Sequence, residues 1–325
     1  MLLYALFTFH SSSEWQDIYG TNPPSVIYTE NKYYSGYTGD FYVMNVVFIN
    51  VGSNGVINLS SDDIKSLISS TTFINSTSSG PGASVCLNQG QSAIVKTCSR
   101  GSVASNDMFA SIFVTNSGSS INFNSQLSVT LNNRGLVSGY NGMRFGYGII
   151  TYIQNNISHN YCGYNTAFVL KETTNITANY SYISDNVALS RICDGINADI
   201  TYYSIVVINS QVTESDNYPG IFYSQNCTVS IINCLICNNS VGSCPIFGCD
   251  SRSSYTVINS QIISNSTLIF SGAGNFTEKN PETPDIKLHL LTTDQCPTGI
   301  FLFGNATVSP MNAETDDFNI RDENQ

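Results

Sequence analysis

Three segments in the second half of the chain read almost alike: SIVVINSQV from Ser204, TVSIINCLI from Thr228 and SYTVINSQI from Ser254. Aligned on Asn209, Asn233 and Asn259, they recur at intervals of 24 and 26 residues. Four residues before each Asn stand Ile205, Val229 and Tyr255. Two before stand Val207, Ile231 and Val257, and three after stand Val212, Ile236 and Ile262. Self-similarity at a period of about 20–50 residues signals stacked units that bury their apolar faces only against one another. Short, β-branched runs with alternating apolar residues read as strands. Asn tolerates the left-handed backbone that a sharp turn demands. The chain is therefore expected to form a solenoid of parallel strands with Asn at the corner of each coil.

The same phase extends upstream. Anchors at Asn50, Asn75, near residue 97, Asn116, Asn133, Asn155 and Ser184 precede the three clear copies. This predicts an all-β, right-handed parallel β-helix solenoid of about ten coils over residues 41–270. Residues 1–40 are expected to hold a signal peptide and an N-terminal cap, 271–310 C-terminal cap strands, and 311–325 a disordered acidic tail. Ser61–Ile68 is the one stretch that reads as a helical turn, with Ser61 or Asp62 as its N-cap.

Composition supports stacking and narrows function. Charged residues make up 11% of the chain, against about 25% in an average domain. Their place is taken by 37 Asn and 72 Ser plus Thr, which suit turns and β surfaces better than helices. The net charge is −11, and the six Lys and six Arg form no stripe. Nucleic-acid binding by phosphate neutralisation is therefore excluded as an expectation. No apolar stretch is long enough for a transmembrane helix. Leu2–Phe9 is an apolar run followed by small residues, the pattern of a signal-peptide core, although the first basic residue is Lys32. The alternatives are a first strand or a truncated gene start. Residues 1–13 thus give an expectation of an extracellular or cell-surface location.

Coils of 22–26 residues with an Asn corner resemble the right-handed parallel β-helix of the pectate-lyase-like superfamily. Low-charge versions rich in Asn, Ser and Cys are similar to polymorphic outer-membrane-type repeat proteins and to surface β-helix proteins of parasitic protists. The Phe-x-x-Asn repeat of the polymorphic type occurs at Phe113–Asn116. Its Gly-Gly-apolar partner is represented only by Gly80-Pro81-Gly82-Ala83.

The catalytic motifs of that superfamily's hydrolases are missing. No His-Gly or Arg-x-Lys occurs, Asp62–Asp63 is the one Asp-Asp pair inside the solenoid, and His10, His159 and His289 are scattered. Sugar hydrolysis needs two facing carboxylates. Asp185 and Asp216, just beyond neighbouring anchors, are the one candidate pair, weighed against solvated turns. Among the ten cysteines, Cys234-x-x-Cys237 and Cys244-x4-Cys249 have ligand-like spacing. Disulfides or packed thiols are the preferred reading, because a zinc knuckle would break the clearest repeat. Gly135, Gly139, Gly142, Gly146 and Gly148 lack phosphate-loop spacing and read as turns. Tyr33, Tyr34, Tyr37, Tyr42, Tyr202, Tyr203, Tyr218 and Tyr223 offer either sugar-stacking rings or core packing. Ten Asn-x-Ser/Thr sequons permit glycosylation of a secreted chain.

The functional expectation is a non-catalytic secreted or surface adhesin-like protein that recognises carbohydrate or a host or matrix protein. The alternatives are a polysaccharide lyase or glycoside hydrolase of the same fold, or a passive structural rod. No catalytic, cofactor-binding or metal residue is assigned, and no cofactor is expected.

Overall fold

The computed structural model describes residues 13–52, 55–104, 112–116, 118, 120–132, 142–213, 220–264, 266, 268–293, 296, 302–303 and 306–312. It is 59% strand and 2% helix, an all-β parallel solenoid. Each coil contributes a strand segment to each of three parallel ladders. The first ladder runs from Ile27–Tyr28 to Asn275–Lys279 and the second from Val47–Ile49 to Gln261–Ser264. The third runs from Tyr34–Ser35 to Phe270–Gly272. The second ladder has nine rungs and so about eight turns between its ends, slightly fewer than the ten coils expected.

Corners form where a non-glycine residue takes positive φ. Between the first and second ladders these include Asn45, Gln154, Asn233 and Asn259; after the second they include Asn50, Asn75, Asp185, Asn209 and Asn238. This corrects the alignment of the three clear copies. Asn233 and Asn259 follow Ile232 and Ile258, which pair across the first ladder, and the preceding coil places Ser204 at that corner. Asn209 follows Ile208 in the second ladder, opposite Cys237. Asn116 follows the third ladder instead. Every strand shows the same alternation before its corner, so a residue match cannot tell one corner from the next.

The polar ladder runs one residue beyond the corners at His159, Asp185 and Asn238. Side-chain oxygens of Asn160, Asn186 and Asn239 accept the backbone N–H groups of Asn132, Asn160 and Ser210, at 3.0, 3.0 and 2.9 Å. Their amides donate to the carbonyls of Val129, Ile157 and Val207 at 3.0, 2.9 and 2.9 Å. These side chains are buried, so each bond satisfies a backbone group with no access to water.

Inside the coil, aromatic rings stack from rung to rung. Tyr152, Phe168, Tyr202, Phe222 and Phe247 follow one another with centroids 5.3–6.2 Å apart. Tyr28, Tyr34, Tyr37 and Phe41 close the N-terminal end with ring contacts.

Two segments fold back onto the outside. Helix α1 (Ser13–Tyr19) lays Trp15 on Tyr42, Leu67, Ala93 and Val95 of the first ladder. It was not foreseen in the sequence. The expected helical turn at Ser61–Ile68 is instead a turn leading into the strand Lys65–Ser69. There Leu67 meets Trp15 and Ile68 joins the core, the alternation of a strand covered on both faces. At the other end the chain leaves the coil at Asn280, another left-handed residue. Its strand Lys287–Thr292 runs back along the second ladder, with Ile286, Leu288 and Leu290 packed on Val206, Ile208, Leu235 and Cys237. A disulfide between Cys98 and Cys296 fixes this strap.

Candidate functional site: the outer face of the first ladder

Outward residues of the first ladder form columns along the solenoid, because successive strands pair in register. One column runs Tyr42, Leu67, Ala93, Phe123, Thr151, Thr177, Thr201, Ser230, Thr256 and Thr277. Its first part is apolar and lies against α1. From Thr151 onward it carries a hydroxyl at every rung, half-buried from Thr151 to Thr256 and exposed at Thr277. Ladder geometry sets neighbouring hydroxyls about 4.8 Å apart. Beside them run Ile153, Asn179, Tyr203, Ile232, Ile258 and Lys279. On the other side stand Ile149, which is 58% exposed, with Asp199, Thr228, Ser254 and Asn275.

The face is flat because parallel strands with no bulge cross it from Thr228–Ile232 to Asn275–Lys279. Asp199 and Lys279 are the acidic and basic residues among the described members of these columns. An array of hydroxyls beside apolar side chains can donate to, accept from and pack against an extended ligand. Its described residues include no pair of facing carboxylates, which general acid–base cleavage of a sugar requires.

The acids weighed from sequence are dispersed. Asp185 lies 3.9 Å from His159, its neighbour at the same corner on the preceding coil. Asp216 is outside the described residues, as are Asp107 and Glu214. Asp62 and Asp63 are exposed in their turn. Glu172 is held below its usual range by hydrogen bonds from Lys171, at 2.6 Å, and from Tyr147. Asp250 accepts from the backbone of Asn226 and Arg252 and from Ser253 Oγ, an arrangement that closes its own turn.

One charged cluster was not legible in the sequence. Arg191 Nη1 donates to Asp194 Oδ2 at 2.7 Å, and Nη2 to the Tyr164 hydroxyl at 2.6 Å. The guanidinium also lies 4.5 and 4.3 Å from the ring centroids of Tyr164 and Tyr223. Asp194 is 1% exposed, so this pair closes the outer side of the third ladder away from solvent. The spacing Arg-x-x-Asp within one strand was its only signal.

The cysteines divide by face. Cys193, Cys227, Cys234, Cys244 and Cys249 belong to the inner core, whereas Cys237 lies outside under the strap. Cys234 and Cys237 therefore point to opposite sides, which rules out the Cys-x-x-Cys knuckle. Among the described residues no three His, Cys, Asp or Glu side chains gather to hold a metal ion. Burial pushes the Cys227 and Cys237 thiols up to about 11, far from the thiolate form. Of the tyrosines weighed for sugar stacking, Tyr34, Tyr42, Tyr202 and Tyr223 are buried and so excluded from it. Tyr33 is exposed, Tyr37 packs at the N-terminal end, Tyr203 lies on the hydroxyl face, and Tyr218 is outside the described residues. Of the glycines, Gly148 (φ 78°) turns the chain where a Cβ would meet the Ser120 carbonyl at 2.5 Å.

No family model matches the chain, and no curated protein matches it. Among solved structures, the A-module of mannuronan C-5 epimerase AlgE6 from Azotobacter vinelandii is similar at 12% identity, with a TM-score of 0.20. The match covers 85% of this chain and 91% of that one. A score of that size has no bearing on this chain's family or function.

Proposed function

We propose that the protein is a non-catalytic recognition protein of the cell exterior, a member of the pectate-lyase-like β-helices that binds an extended neutral carbohydrate on its first-ladder face. The observation behind this reading is the unbroken hydroxyl column from Thr151 to Thr277, flanked by Ile153, Tyr203, Ile232 and Ile258. A repeating polysaccharide laid along the axis meets the same pair of groups at every rung, an apolar surface for its ring faces and hydroxyls for its own. The scarcity of charge on the face favours a neutral chain over an acidic one. The Cys98–Cys296 disulfide suits an oxidising compartment. Glycosylation belongs to the same reading, at the exposed sequon residues Asn75, Asn226 and Asn238, which lie off that face.

The test is binding of the purified chain to a glycan array and to insoluble neutral polysaccharides, with turnover of acidic polysaccharides assayed alongside. Replacing Thr201→Lys with Ser230→Lys is expected to weaken binding about tenfold or more, since each ammonium displaces the ligand from two columns. A control change at Asp62 is expected to leave binding unaltered. Binding that survives the double replacement, or turnover of an acidic polysaccharide, would overturn the reading.

A further inference from the structure

The strand Arg191–Tyr203 breaks the pattern of its neighbours on the first-ladder face. At the three outward places the next coil carries Thr228, Ser230 and Ile232, and the one after it Ser254, Thr256 and Ile258. Here Asp199, Thr201 and Tyr203 occupy those places. The central hydroxyl is kept, and both flanks change at once. Among the described residues of this face from Ile149 to Lys279, Tyr203 is the one aromatic and Asp199 the one acid. Asp199 is exposed and makes no salt bridge with a described residue. The Tyr203 ring meets that of Tyr180 edge to face, with centroids 5.7 Å apart and planes at 76°. Tyr180 stands at the next corner of the preceding coil, where its backbone N–H donates to the Tyr203 carbonyl at 3.0 Å and its ring packs on the cluster beneath the strap. Tyr203 is half-buried and braced, so its position is set before a ligand arrives.

We propose that the Asp199–Thr201–Tyr203 rung is the anchoring subsite of this face: Tyr203 grips one sugar ring of a neutral polysaccharide, and Asp199 accepts its hydroxyls and turns acidic chains away. This rests on the carbohydrate reading above, and adds where the chain is held and what selects it. Outward residues two apart on a strand lie about 6.6 Å from one another. A glycan ribbon on the hydroxyl column thus has Thr201 beneath it, Tyr203 on one flank and Asp199 on the other. Tyrosine offers a large, stiff apolar surface with a polar tip, and a few such residues dominate the energy of an interface. A carboxylate only accepts hydrogen bonds, so Asp199 suits the hydroxyl donors of a neutral sugar. A uronate or sulfate in the same place meets a like charge, which is the repulsive half of specificity. In the two coils that follow, the outward places carry only Thr, Ser and Ile, which grip every sugar of a repeating chain alike. The rung that differs fixes the register of the chain.

Tyr203→Ile and Asp199→Thr restore the residues that Ile232 and Thr228 place one coil later, so both chains are expected to fold as the parent does, checked by circular dichroism. Binding of the full chains to β-glucan, β-mannan and polygalacturonate is measured at low ionic strength. Tyr203→Ile is expected to weaken binding of the neutral polysaccharide about tenfold or more, and Tyr203→Phe, which keeps the ring, to stay within about threefold of the parent. Asp199→Thr is expected to raise binding of polygalacturonate relative to the neutral chain about threefold or more, a gain that added salt erases by screening the parent's repulsion. A Tyr203→Ile chain that binds like the parent, or an Asp199→Thr chain with the parent's ratio of acidic to neutral binding, overturns the subsite and leaves the carbohydrate reading standing. A parent that binds no neutral polysaccharide overturns both.

Discussion

Glu278 stands opposite Val257 on the last rung of the first ladder, in a column that is buried from Val43 to Val257. Ile231, Tyr202, Ala178 and Tyr152 are among its earlier members. An inward-pointing charge at a sheet edge deters another strand from adding to it. Replacing Glu278→Leu removes that charge and offers an apolar surface of about 2 kcal/mol. The variant is expected to self-associate end to end, with an association constant about tenfold or more above the parent's, read by light scattering on a sizing column.

Helix α1 carries a pH-dependent contact. Glu14 is buried beneath it, beside Ser69 and 3.5 Å from Lys96. Burial raises its carboxyl above the ordinary value, against the opposing pull of Ser69 and Lys96, while Asp17 adds to the rise. A carboxyl raised in the folded state favours folding most when both states are protonated. That contribution fades as pH climbs from the unfolded value through the raised folded value. Trp15, the single tryptophan, sits in the same helix. Its emission is expected to shift to the red as pH rises through that window, and Glu14→Gln is expected to flatten the response.

The buried amide ladder makes a graded prediction. Asn186 accepts from the Asn160 backbone at 3.0 Å and donates to the Ile157 carbonyl at 2.9 Å. Asn186→Ala leaves both groups without partners in a dry site, at about 2–4 kcal/mol. Asn186→Ser is expected to cost less, because Ser210 serves the same place one coil later by accepting from the Asn186 backbone at 3.3 Å. Chemical denaturation of the three chains gives the order.

Phe222 lies between Tyr202 and Phe247, with centroids 5.3 and 5.5 Å away. Phe222→Ala empties one rung of the stack. It is expected to destabilise the coil by about 3–5 kcal/mol, lowering the denaturation midpoint without altering carbohydrate binding on the outer face.

The strand phase was legible because alternation is a property of each strand alone. Val229, Ile231 and Val257 face the core as the repeat implied. The grouping of Asn209 with Asn233 failed because corner identity depends on which strand lies alongside, and similar corners carry no label. The hydroxyl column was hidden for the same reason. Thr177, Thr201 and Ser230 become neighbours only through register, with unequal loops between them. Helix α1 was not expected, and the C-terminal strand was expected as an end cap rather than a cover on the flank. Trp15, Ile18 and Tyr19 have helical spacing, but over one short turn that signal is faint. Ile286, Leu288 and Leu290 alternate like any strand, and nothing in them specifies the flank they lie on. Cys98 and Cys296, 198 residues apart, gave no pairing signal at all.

That same separation has a mechanical meaning. Tension drawn along the backbone passes from Cys98 to Cys296 through the sulfur bridge and bypasses the rungs between them. With the bond intact, the chain between the two cysteines, which are 198 positions apart, adds nothing to the extended length of the molecule. Once it is cut, roughly 650 Å of chain becomes available to unspool.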